Sequence, residues 1–151
     1  MHRLFILPCS LAFCILLSTP PAKASDTLVP LVEYLEKHEL SDKGVHYYLS
    51  VRCASLHAYF AALMQDRDAN AAKGFTDSAM GLLEVAALNS YQDTNDMEKS
   101  FTYAQNTLGE IFDVYNSMSK KHYNLSGSYI TPIIDSDMEI CKVIAESALS
   151  K

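Results

Sequence analysis

Residues 95–123 have the sequence NDMEKSFTYAQNTLGEIFDVYNSMSKKHY, which is the most regular hydrophobic pattern in the chain. Its mostly apolar positions alternate steps of four and three: Met97, Phe101, Ala104, Leu108, Ile111, Tyr115, Met118 and His122. This repeat forms a continuous seam along one helix face and extends over more than three heptads. It predicts a long helix packed nearly parallel to its neighbours, as in a bundle. Asn95, followed three residues later by Glu98, is the expected N-cap.

The sequence around this segment divides into four further helical stretches. In each of them apolar residues recur in steps of three or four, which places them on one helix face. We predict helices at residues 27–38, 42–66, 69–90 and 132–149, in addition to 95–123. Two of these segments have their own start signals.

Those start signals and one glycine mark the expected helix boundaries. Ser41 is the expected N-cap of the first long helix, and Thr131 followed by Pro132 is expected to start the last one. Gly127 lies among small polar residues and predicts a loop at residues 124–131. Because strand-like alternation is absent from the sequence, the predicted fold is all-α: an up-and-down four-helix bundle with a short extra N-terminal helix, preceded by a cleaved signal peptide.

The N-terminal segment has the pattern of a secretory signal peptide. His2 and Arg3 precede a nearly uniform apolar run, and Ala22-Lys23-Ala24 supplies the small residues of a cleavage site. We expect cleavage between Ala24 and Ser25, with an uncleaved anchor as the alternative. The predicted segments are therefore residues 1–24 as signal peptide and 25–151 as a single helical domain. Without the signal peptide, the 151-residue chain becomes 127 residues long and its net charge changes from −6 to −8.

Two of the four cysteines remain after this cleavage. Cys9 and Cys14 lie in the signal segment, whereas Cys53 and Cys141 lie on the apolar faces of predicted helices. An exported chain meets an oxidising environment, so this pair is expected to form a disulfide rather than two free thiols. In an up-and-down bundle the first and fourth long helices are adjacent and antiparallel, and both cysteines lie near mid-helix.

Metal and haem motifs are weak in this sequence. His57, His122 and several methionines could in principle supply haem ligands from two helices, but there is no C-x-x-C-H motif and no Glu-x-x-His motif. The spacing of Asp135, Asp137 and Glu139 imitates a calcium loop, yet Ile140 replaces the required glycine. Acidic residues in a first helical turn explain that spacing better. We therefore predict no cofactor, no metal and no catalytic residues.

Composition and export limit the possible functions. The acidic charge disfavours nucleic-acid binding, which needs a basic face, and the mature chain contains no further apolar run long enough to span a membrane. Nine tyrosines and no tryptophan fit either the rim of a core or a recognition surface. Asn124 begins a glycosylation sequon in the predicted loop.

The hypothesis that fits these features best is an exported, non-catalytic helical interaction protein, of inhibitor, immunity or adaptor type. It would act in the periplasm or outside the cell and bind a protein partner. The alternative is a bundle that carries a small ligand or haem. An enzyme with a dispersed site is a further, weaker alternative.

Overall fold

The protein is described here by a computed structural model over residues 28–149. This part of the chain forms five helices and contains no strand. The helices are α1 (Leu31–Lys37), α2 (Lys43–Met64), α3 (Ala69–Thr94), α4 (Met97–Ser126) and α5 (Pro132–Leu149). The predicted signal peptide, residues 1–24, and its cleavage site at Ala24 and Ser25 lie outside the described residues. None of the described helices is both long enough and apolar enough to cross a membrane.

The boundary between α3 and α4 differs from the prediction. The helix expected to end at residue 90 continues to Thr94, and Asn95 then adopts a left-handed conformation with φ 51°. Asp96 caps α4, because its side chain accepts a hydrogen bond from the Lys99 amide at 3.1 Å. The prediction of Asn95 as N-cap is therefore wrong. Asparagine tolerates the left-handed region that ends a helix, and the neighbouring carboxylate takes the capping position.

The other boundaries show two further differences and one agreement. Asp42 rather than Ser41 caps α2, through a 2.8 Å bond from the Gly44 amide. The helix expected to end at residue 123 continues to Ser126 and ends at Gly127, which has φ 74°. Asn124 accordingly lies in the last turn of α4 and not in a loop. The last helix starts at Pro132 as predicted.

Helix α2 is the central element of the fold. Every residue from 49 to 57 is buried, so this part of the helix has no solvent-facing side. The reason is that α2 packs against α3, α4 and α5. The prediction of a single apolar stripe is therefore too narrow for the middle of α2, where Ser50, Arg52 and Ser55 are buried together with the apolar residues.

Side-chain pairs give the helix directions. Tyr47 donates a hydrogen bond to Thr107 of α4, and Tyr59, further along α2, bonds to Ser119, so α2 and α4 run parallel. Helix α5 runs antiparallel to α2, because Tyr59 bonds to the carbonyl of Tyr129, which precedes α5, and Cys53 contacts Cys141. Helix α1 packs against α5.

Candidate functional site

A buried charged cluster lies where α2, α4 and α5 meet. Arg52 and Asp137 have fully buried side chains, and the Arg52 Nη2 to Asp137 Oδ2 distance is 2.5 Å. Arg52 Nε donates to the same oxygen and to the Tyr115 hydroxyl, both at 3.1 Å. Tyr115 donates to Asp137 Oδ2 at 2.6 Å, and Arg52 Nη1 donates to the Tyr48 hydroxyl at 2.9 Å. The cluster joins three helices through one carboxylate oxygen.

The protonation states of this cluster follow from its surroundings. Burial raises the pKa of Tyr115, and this effect outweighs the opposing influence of Arg52, so the phenol stays protonated and donates. Burial alone would disfavour the charged guanidinium, but Tyr115 and Asp137 more than offset it and raise the pKa of Arg52. The result is a closed, internally neutralised ion pair. Because both charged side chains are 0% exposed, they cannot touch a substrate in this conformation.

Helix α1 is attached to this cluster by its first residue. The Leu31 amide donates to Asp137 Oδ1 at 2.7 Å across 106 residues of sequence. Leu31 itself is fully buried, and the Tyr34 ring packs on the Tyr48 ring at a centroid distance of 4.5 Å. A helix-start amide has no acceptor inside its own helix. Asp137 supplies this acceptor and thereby positions α1.

The predicted cysteine pair lies beside the cluster. The structure joins Cys53 and Cys141 in a disulfide, with Cα atoms 5.1 Å apart and both side chains buried. Cys53 follows Arg52 directly, and Cys141 lies one helical turn after Asp137. The covalent bond and the ion pair therefore connect α2 to α5 at the same level.

The expected haem candidates do not converge. His57 is 5% exposed and packs edge-on against Phe75 of α3 at 5.6 Å, and neither of its ring nitrogens has a hydrogen-bond partner. Burial lowers the pKa of His57, which favours the neutral ring. Tyr59 follows His57 by two residues and therefore points to nearly the opposite side of α2. Tyr59 contacts Ser119 of α4, and His122 follows Ser119 by about one helical turn. Within residues 28–149 no group of three potential metal ligands occurs.

The three residues of the calcium-like spacing occupy different environments. Asp135 and Glu139 are exposed on α5, as expected for a helix surface. Asp137 is 0% exposed and bound to Arg52, so treating it as one more acidic residue of the first turn was wrong. The sequence did contain a signal for this ion pair: Arg52 is a lone cation in an apolar run, next to Cys53. A buried arginine requires an acidic partner, and the predicted cysteine pair places Asp137 within one turn of it.

An open groove lies between α3 and α5, and residues of α2 also line it. Its volume is about 500 Å³. Its described lining is Leu40, His46, Leu49, Ser50, Val85, Asn89, Val143, Ile144, Ser147 and Ala148. Leu40 and Val143 at its edge are 59% and 65% exposed, which is unusual for aliphatic side chains that lie together. Among these lining residues none is Asp, Glu, Lys or Arg.

A second groove lies between α3 and α4 and has a volume of about 430 Å³. Its described lining is Ala58, Ala61, Thr76, Ala79, Met80, Leu83, Gln105 and Leu108. These residues include no titratable group. Alanines of α2 and α3 leave the space, because their side chains are too short to fill it.

The tyrosines divide between interior and surface. Tyr59 and Tyr115 are buried and hydrogen-bonded, whereas Tyr103 and Tyr123 are 56% and 43% exposed. These two exposed rings each stack on another tyrosine, Tyr103 on Tyr47 and Tyr123 on Tyr129.

Comparison with known proteins finds no matching family, no similar curated protein and no similar solved structure.

Proposed function

We propose that this chain is an exported, non-catalytic interaction protein that binds a protein partner through the groove between α3 and α5. The observation that carries the proposal is the joint exposure of Leu40 and Val143, 59% and 65%, at the edge of a groove of about 500 Å³ with a mixed, mainly aliphatic lining. Exposed aliphatic residues around a concave surface are typical of protein recognition sites. The other distinctive cluster, Arg52 with Asp137, is closed to solvent and serves the fold.

Charge supports a basic partner. After the expected removal of residues 1–24 the chain has a net charge of −8, while the lining of the groove contains no carboxylate. A chain with this net negative charge attracts a cationic protein from a distance, and apolar contact in the groove then provides the short-range binding. The buried Cys53–Cys141 disulfide supports export.

The proposed architecture is an up-and-down four-helix bundle, formed by α2 to α5, with α1 as the short extra helix. The parallel direction of α2 and α4 and the antiparallel direction of α2 and α5 support this description. In such a bundle the groove lies beside the central α2, between two helices that it holds in place. The helical walls of the groove are therefore formed before a partner arrives, which favours affinity. Leu40 lies outside these walls, in the exposed connection between α1 and α2.

The test compares two substitutions at the groove, Leu40→Asp and Val143→Asp, with one matched control, Leu125→Asp. Leu40→Asp and Leu125→Asp both place a carboxylate at an exposed leucine, but Leu125 lies at the end of α4, at the other end of the bundle, and is 89% exposed. The purified chain is used to capture proteins from the source cells at low salt. A basic protein retained by the Leu125→Asp variant and lost with Leu40→Asp and Val143→Asp supports the proposal. A partner retained equally by all variants, or no partner at low salt, contradicts it.

The alternative function, a small-ligand or haem carrier, has one supporting observation: the uncharged 430 Å³ groove between α3 and α4. A neutral apolar ligand would fit this lining. The absorption spectrum after haem addition and thermal shifts with a panel of apolar ligands test it. Met80→Glu, at the 48% exposed edge of this groove, should abolish such a shift. A flat spectrum and no thermal shift remove this alternative.

A further inference from the structure

We propose that α1 is an exchangeable segment: it leaves its site while the disulfide-linked bundle stays folded, and α1 of a second copy then occupies that site. The site, named here the α1 site, consists of the Asp137 carboxylate and the Tyr48 ring. The α1 site is a different surface from the groove between α3 and α5, and the proposal does not depend on the proposed function. The connection between α1 and α2 touches both, because its Leu40 also lines that groove.

Helix α1 is too short to be stable alone. It has seven residues, its N-cap Pro30 provides no side-chain hydrogen bond, and isolated helices of this length are not stable in water. Leu31 is the buried residue of this helix, and its amide donates to Asp137. The other contacts are partial: Tyr34 and Leu35 are only partly buried where they pack against the core, as is Leu28 just before the helix, and the Tyr34 ring lies on the Tyr48 ring. Segments with few buried contacts open at a lower free energy than the core does. Helix α1 is therefore expected to open before the bundle does.

The bundle keeps its own bonds when α1 leaves. Arg52 still holds Asp137 Oδ2, Tyr115 still donates to the same oxygen, and the disulfide still joins α2 to α5. At Asp137, only Oδ1 loses a donor, and water can replace an amide there. The α1 site thus remains formed and offers a carboxylate acceptor next to an exposed aromatic ring.

The connection from α1 to α2 permits exchange. Residues 38–42 are all exposed, and the chain leaves α1 in an extended conformation at His38. Five extended residues span roughly 17 Å. Hydrogen bonds within this connection are local, such as the one from the Asp42 N–H to the Glu39 carbonyl oxygen. Opening this hinge therefore leaves the bundle intact.

We assign a second copy as the occupant because α1 of that copy has the same residues that already fit the α1 site. The α1 site binds a leucine with a free helix-start amide and a tyrosine one turn later, which is the sequence of α1. A second copy reproduces every contact without any new complementary surface, which makes exchange of a terminal element an accessible route to dimers. The chain's own α1 competes for the site, because a segment on a short tether has an effective concentration on the order of millimolar. The exchanged pair is therefore best detected by trapping it.

The first measurement is amide hydrogen exchange on the full oxidised chain. We expect the Leu31 amide and the other α1 amides to exchange together, at least about tenfold faster than those of residues 49–57, because they open without the bundle. Equal rates for α1 and residues 49–57 would show that α1 opens only with global unfolding, which overturns the proposal.

The second measurement traps the exchanged pair with a short bifunctional thiol reagent. A Tyr34→Cys chain is mixed with a Tyr48→Cys chain; these positions meet between copies only after exchange. The control replaces the second chain with a Tyr103→Cys chain, whose exposed position on α4 reports random collisions. A chain that has both Tyr34→Cys and Tyr48→Cys must cross-link within itself, which verifies that docking survives these substitutions.

We expect several-fold more linked dimer in the first mixture than in the control, and loss of that excess when Leu31→Asp is added to the Tyr34→Cys chain. Equal yields in both mixtures, with the internal cross-link intact, overturn exchange. Linked dimer that persists with Leu31→Asp also overturns it, because the copies then associate through another surface. Val143→Asp should leave the result unchanged, which separates this test from that of the proposed function.

Discussion

Substitution of Arg52 by methionine removes the positive charge from the buried cluster and keeps most of the side-chain volume. Arg52 gives two hydrogen bonds to Asp137 Oδ2, one to Tyr115 and one to Tyr48. After the substitution the Asp137 carboxylate, 0% exposed, keeps donors only from Leu31 and Tyr115. It becomes a buried charge without a counter-charge.

The expected loss follows from this geometry. Removing one partner of a buried ion pair costs roughly 3–5 kcal/mol. In a domain of this size 1 kcal/mol changes the Tm by roughly 3–5 °C, so the Tm of Arg52→Met should fall by about 10–25 °C. Adding Asp137→Asn removes the unpaired charge and retains an acceptor for the Leu31 amide. The double variant should therefore be more stable than Arg52→Met by about 1–2 kcal/mol, a coupling expected for contacting residues.

Urea unfolding of the oxidised protein at pH 7 measures both differences. The matched control is Lys99→Met, which removes a cation from an exposed pair with Asp96 at 3.0 Å. Exposed pairs contribute little, so this change should stay within about 1 kcal/mol of the wild type. If Arg52→Met costs no more than Lys99→Met, or if the effects of Arg52→Met and Asp137→Asn simply add, the reasoning about the buried pair is refuted.

Three further outcomes are expected. Replacing Cys53 and Cys141 by serine should lower the free energy of unfolding by about 4–5 kcal/mol, because the bond spans 88 residues; unchanged urea unfolding would contradict this. Burial lowers the pKa of His57, so native stability should be full above about pH 6.5 and decrease as the pH falls through that value. His57→Phe should reduce this dependence and stabilise by about 1 kcal/mol, since both ring nitrogens lack partners, whereas identical pH profiles would argue against it. Gly127→Ala should destabilise the protein by about 1 kcal/mol, because the backbone at Gly127 has φ 74°. Gly109 lies inside α4 with open space around it, so Gly109→Ala should stabilise the protein by a similar amount. Thermal unfolding of both variants measures the contrast.

Helix positions were largely predictable because apolar periodicity is a local property. The seam of residues 95–123 gave α4 to within a few residues, and Thr131 with Pro132 gave the start of α5. The errors occurred at caps, where two neighbouring residues compete. Asp96 and Asn95 both suit a helix start, and only the left-handed backbone at Asn95 decides between them.

The interior of the fold was less predictable, because it depends on how many neighbours a helix has. A stripe of apolar residues on α2 indicates one buried face, but three packed helices bury all of residues 49–57. Asp137 illustrates the same limit, since an acidic residue early in a helix is usually solvated. Its burial follows only from the position of Arg52 across the disulfide.

The sequence by itself determined the helical class, the order of the helices and the pairing of Cys53 with Cys141, since these depend on periodicity and on the geometry of antiparallel helices. The tertiary structure decided the central position of α2, the Arg52–Asp137 pair, the attachment of α1 and the groove beside Leu40 and Val143. These features arise where residues distant in sequence meet. Their free energy depends on burial and on mutual distance, and neither is encoded in the spacing of residues along a single helix.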